Sequence, residues 1–127
     1  MKADKFMSYQ ATRLLTAAPA TLAGIVLEES VKSTRAALAW LKAGDIAQRS
    51  RAITKAMNLL SQFVAALNDS ASLELCANLR RLCDYAHQRL LQAHVHQSAK
   101  MLQEVIDLIQ PISEAWTTVE RRSATAV

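Results

Sequence analysis

The side chains in this chain best suited to act as nucleophile, base or soft metal donor are two cysteines, Cys76 and Cys83, and three histidines, His87, His94 and His96. Cys83 stands four residues before His87, so on a helix the two share a face. That pair offers a thiol beside a base, or two of the four ligands that a structural zinc needs. No third or fourth donor follows at ligand spacing, and His94 and His96 on a helix point about 160° apart. A buried, inert thiol is the commoner state of cysteine, and no metal site is expected. Cys76 and Cys83 lie about 10.5 Å apart along a helix, too far for a disulfide, which suits a reducing compartment. His96-Gln97-Ser98-Ala99-Lys100 puts a lysine four residues after a histidine, without the His-x-x-Lys-Gly spacing of phosphotransfer bundles. No Gly-rich phosphate loop, Ser-His-Asp set or acidic pair at useful spacing occurs, so neither catalysis nor a cofactor is expected.

The elements that must position these residues are helices. The chain has 127 residues, 51% of them hydrophobic but only 5% aromatic, with two Gly and two Pro. Such a composition favours helix over sheet and one domain, 1–127. Apolar residues recur three and four apart in four long runs, 19–43, 46–68, 72–94 and 98–120. The expected inward stripes are Ala23, Val26, Leu27, Ser30, Thr34, Ala37, Leu38 and Leu41; then Ile46, Ser50, Ile53, Met57, Leu60, Val64 and Leu67. On the last two runs they are Leu75, Leu79, Leu82, Ala86, Leu90 and Ala93, then Leu102, Val105, Ile109, Ile112, Trp116 and Val119. Pro19 suits a first helical position, Gly44-Asp45 is a stop-and-start signal, and Ser98 is a cap. Asn68-Asp69-Ser70 reads as a polar turn, and Pro111 predicts a kink costing about 3 kcal/mol. Loops this short predict an all-α, antiparallel four-helix bundle, with residues 1–15 as a short N-terminal arm or helix.

Fifteen Lys and Arg against eleven acids give a net charge of +4. The arginines are scattered without a recognition-helix signature, so no nucleic-acid partner is expected. No run approaches the ~18 apolar residues of a membrane span, and no signal peptide is read at Ala18-Pro19-Ala20, which no apolar region precedes.

Read in order, several fragments resemble the flagellin-export chaperone family, FliS. Tyr9-Gln10, then Thr16-Ala17-Ala18-Pro19 and Leu22, are similar to that family's opening. Gly44-Asp45 is similar to its turn between bundle helices. Leu79, Leu82, Asp84, Tyr85, Arg89, Leu90 and Ala93 follow its next helix, and Glu104, Val105, Ala115 and Trp116 its last. Three stretches depart. Val26-Leu27-Glu28-Glu29 replaces the family's Leu-Tyr-Asp-Gly, Leu82-Cys83-Asp84-Tyr85 replaces Leu-Tyr-Asp-Tyr, and His94 replaces an Asn, which marks a divergent member. The resemblance implies a cytosolic, non-catalytic chaperone that binds flagellin's disordered C-terminal segment, prevents premature polymerisation and helps deliver the subunit to the export gate.

Partner-binding residues are sought among apolar side chains left over once each helix has filled its stripe. The second run carries a further line, Ala52, Ala56, Leu59, Phe63 and Ala66, which a wide core face would also explain. Ile25 and Trp40 sit off the stripe of the first run, and the arm adds Phe6, Met7 and Tyr9. The resemblance implies a client contact for Tyr9, within a mobile segment. The candidate set is Phe6, Met7, Tyr9, Ile25, Leu59 and Phe63. A histidine phosphotransfer module using His96 or His87, and a bundle pairing with itself as a homodimer through its spare apolar face, remain open alternatives.

Overall fold

A computed structural model of the chain describes residues 19–67 and 73–125. Four helices follow one another: α1 Pro19–Ala43, α2 Ile46–Ala65, α3 Leu73–His96 and α4 Ala99–Thr125. Each packs on its sequence neighbours, and α4 closes against α1, so the four form an up-and-down bundle. The expected arm at 1–15 and the turn at 68–70 lie outside the described residues.

Two connections at one end of the bundle set the antiparallel order, and both use the same device. After α1, Gly44 adopts φ 77°; its N–H donates to Leu41 O (3.1 Å) and Asp45 N–H to Trp40 O (3.0 Å). This pair of bonds closes the helix in a left-handed turn. Asp45 at once caps α2, its Oδ1 accepting from Gln48 N–H at 3.0 Å. After α3 the left-handed residue is Gln97, at φ 52°, and Ser98 N–H donates to Ala93 O at 3.0 Å. Ser98 Oγ then accepts from Met101 N–H at 3.1 Å to cap α4. α3 therefore runs to His96 where 94 was expected, because Gln97 rather than a glycine takes the terminating conformation.

The core is a set of heptad seams. α1 buries Ala23, Leu27, Ser30, Thr34 and Ala37; α2 buries Arg49, Ile53, Ala56, Leu60 and Phe63. α3 buries Cys76, Leu79, Cys83, Ala86, Leu90 and Ala93, and α4 buries Leu102, Val105, Ile106, Ile109 and Ser113. Alternating steps of three and four residues hold each seam against its neighbours. The buried hydroxyls of α1 are satisfied within it: Ser30 Oγ donates to Leu27 O (2.7 Å) and Thr34 Oγ1 to Ser30 O (2.8 Å). With so many small seam residues, α1 lies closer to α2 and α4 than α3 does.

On two helices the seam is rotated from the expected stripe. Ile46 is 60% exposed and Leu75 54% exposed, while Arg49, Ala56, Phe63, Cys76 and Cys83 lie inside. α2 turns its Ala56–Phe63 side inward because small-faced α1 comes close enough to cover it. On α3 the cysteines fill the seam as small apolar groups. Helix α4 continues through Pro111, which is exposed, so the carbonyl left without its N–H partner faces water.

Candidate functional site

Two of the candidate residues, Ile25 on α1 and Leu59 on α2, lie off the central seams of their helices. Ile25 lies about 160° around α1 from the seam residue Leu27. It is nonetheless only 6% exposed, and it is not among the described members of the central core. Leu59 flanks the α2 seam on the side of α1: it is half-buried, with one edge on the core. Its other edge opens on a surface depression of about 490 Å³ lined also by Arg51, Lys55, Asn58 and Gln62. Trp40 is 39% exposed at the far end of α1.

Phe63 is placed differently. It has no exposed surface, and its ring meets Trp116 of α4 edge-on, with centroids 5.3 Å apart and planes at 78°. That geometry is a favourable aromatic contact across the bundle. Phe63 thus forms the floor beneath the α1–α2 pair rather than its outer surface. Phe6, Met7 and Tyr9 lie outside the described residues.

Polar contacts between helices sit elsewhere. Glu104 of α4 accepts from Arg89 of α3 through Nε (3.0 Å) and Nη2 (3.1 Å), and from the Tyr85 hydroxyl. The Arg89 guanidinium also stands 5.7 Å from the centre of the Tyr85 ring. Donation from Arg89, and then from Tyr85, holds the Glu104 carboxyl below the ordinary carboxylate range. The same bond raises Tyr85 above its usual value of 10.0. Arg35 of α1 bonds Gln110 of α4. Arg49, 4% exposed, reaches α3 through Nε to His94 Nδ1 at 3.4 Å.

Cys83 and His87 line a recess of about 150 Å³ between α2 and α3. Burial first, and Asp84 second, push the thiol to about 11, so it stays protonated near neutrality. Among the described residues no three His, Cys, Asp or Glu side chains gather as metal ligands, and no helix is long and apolar enough to cross a membrane.

Sequence reading missed Arg49 and the Tyr85–Arg89–Glu104 clasp. A signal existed for the first: Arg49, Ile53, Ala56, Leu60 and Phe63 follow heptad steps once a charged residue is admitted to the seam. The clasp had only half of one, since Tyr85 and Arg89 are four apart but Glu104 is on another helix.

Comparison with known proteins agrees with this architecture. The flagellar secretion chaperone FliS of Salmonella typhimurium is 29% identical over 112 residues, covering 87% of this chain and 83% of that protein. The flagellar secretion chaperone FliS of Bacillus subtilis is 27% identical over 113 residues, covering 89% and 84%. The profile of the family described as flagellar protein FliS matches residues 2–123. The chain is a divergent member of the FliS family of flagellar secretion chaperones.

Proposed function

We propose that this chain is a cytoplasmic chaperone for flagellin, holding the disordered C-terminal segment of that subunit until export. The observation that carries the reading is Ile25, an apolar side chain enclosed on the side of α1 that faces away from the core. In this reading Ile25 on α1 and Leu59 on α2 serve as separate apolar anchors for a segment laid over the two helices. A disordered tail becomes ordered by placing apolar residues, spaced three and four apart, into such a groove. While it is bound there, the surface by which tails assemble is hidden. Phe6, Met7 and Tyr9 belong to this proposal as further residues that contact the client. Phe63 acts from beneath, by keeping the α1–α2 pair in register. The export gate is the proposed destination of the loaded complex.

Calorimetric titration with the C-terminal segment of the flagellin from the same genome should give a stoichiometric complex with a negative heat-capacity change, the mark of apolar burial. Ile25→Asp and Leu59→Asp should weaken capture while the helical circular dichroism signal is retained. Titration of the folded chaperone without heat or mobility change would refute the reading.

A further inference from the structure

The outer face of α2 has a charge pattern that its own surroundings leave unanswered. Over Ile46–Ala65 the helix carries Arg49, Arg51 and Lys55 and no Asp or Glu. Arg51 and Lys55 are four residues apart, both exposed, and both line the open depression beside Leu59. Like charges at that spacing repel. Among the described residues neither cation has an ion-pair or hydrogen-bond partner. Two of the acids on other helices are engaged elsewhere: Glu29 of α1 pairs with Lys32 at 3.5 Å, and Glu104 of α4 with Arg89.

We infer that this face of α2 takes an acidic polypeptide segment, whose carboxylates lie against Arg51 and Lys55 and whose apolar side chain lies against Leu59. The inference rests on the chaperone reading above and gives the client a chemistry: an amphipathic stretch with acids three or four residues apart. The depression runs from Ser50 to Gln62, about 18 Å along the helix, which matches roughly three turns of a client helix. A polypeptide fits better than a nucleic acid. The depression holds two cations interleaved with Leu59 and the amides of Asn58 and Gln62, and no aromatic ring on which a base could stack. The aliphatic stems of Arg51 and Lys55 extend the apolar strip while their heads remain in water.

The test is titration of the full chain with the flagellin C-terminal segment at low and high salt, using wild type and the double variant Arg51→Glu, Lys55→Glu. Both positions are exposed, so the melting curve should not move. Wild-type affinity should weaken with salt, and the double variant should bind about tenfold more weakly, as reversed rim charges repel carboxylates. A peptide with its acids replaced by lysine should prefer the double variant. If wild type binds and the double variant binds equally well at both salt concentrations, this inference is overturned while the chaperone reading stands. If the folded wild type does not bind at all, the chaperone reading itself falls. Retention of single-stranded DNA that the double variant loses, with client binding unchanged, would overturn the inference in favour of a nucleic acid.

Discussion

Replacing Arg49 with methionine should make this protein more stable. The residue is 4% exposed, and its side chain makes one hydrogen bond, to His94 Nδ1 at 3.4 Å. No carboxylate among the described residues pairs with it. Enclosing a guanidinium costs several kcal/mol even after the surroundings relax. Against that stand one long bond from the charged guanidinium, worth about 1.5 kcal/mol at the low end of its class, and the negative end of α3 at His94, worth about 0.3–1 kcal/mol. Desolvation wins by about 1–3 kcal/mol. Methionine reaches nearly as far, packs flexibly and needs no hydration. Half-buried His94 can turn to water when its donor is gone. The variant should therefore unfold at higher urea, and its midpoint temperature should rise by roughly 3–5 °C for each kcal/mol gained. Denaturation followed by circular dichroism at neutral pH measures both. A loss of more than about 1 kcal/mol would refute the reasoning, because bond and dipole would then outweigh the hydration lost. The same variant asks whether a charged seam residue sets the register of α2 against α3: a sharp amide spectrum would show that the apolar seam suffices.

Phe63→Ala should destabilise by about 3–5 kcal/mol, since it removes a fully enclosed ring and its contact with Trp116; urea denaturation reads this, and a loss under about 1 kcal/mol would place Phe63 at the surface after all. Glu104→Gln should return the Tyr85 phenol, followed by ultraviolet titration in a Tyr9→Phe background, toward its ordinary value. Because the Glu104 carboxyl is lowered in the fold, its contribution is present above the unfolded carboxylate range and is lost as pH falls through the lowered value. The difference in melting temperature between wild type and Glu104→Gln should therefore vanish in acid. Gln97→Gly should stabilise by up to about 1 kcal/mol by relieving a left-handed residue with a Cβ. Gly44→Ala should lose a similar amount through backbone strain alone, as a new Cβ there meets nothing within 4 Å.

The helices and their antiparallel order were legible because the punctuation is local: Pro19, Gly44-Asp45 and Ser98 act within a few residues of themselves. So was the α1 seam, where Ala23, Leu27, Ser30, Thr34 and Ala37 leave little ambiguity of phase. The seams of α2 and α3 were harder to read. Hydrophobicity alone favours Ile46 over Arg49, and Leu75 over Cys76, yet both leucine and isoleucine are exposed. The deciding quantity is how near the neighbouring helix lies, and that is a property of the partner's side chains. Phe63 shows the consequence. On α2 alone it belongs to a second apolar line that resembles a free surface; beside α1 its Ala56 and Phe63 become interior, while Leu59 stays half-buried and Ala66 exposed. The clasp of Tyr85, Arg89 and Glu104 depends in the same way on which faces of α3 and α4 meet.

This dependence also bears on the proposed client binding. The small residues of α1 let α2 come close, and Phe63 and Ala56 are fully enclosed beneath the pair. The proposed function asks that client binding and release leave the core undisturbed, so its anchors must stand off the seams. Ile25 lies outside the central core and Leu59 only flanks it, whereas Phe63 is part of it. A chaperone that must release its client intact needs this separation. The sharpest measure of it is the pair of substitutions Leu59→Ala and Phe63→Ala: the first should lower client affinity more than stability, the second stability more than affinity. Equal effects on both quantities from both substitutions would mean that groove and core are a single cooperative unit.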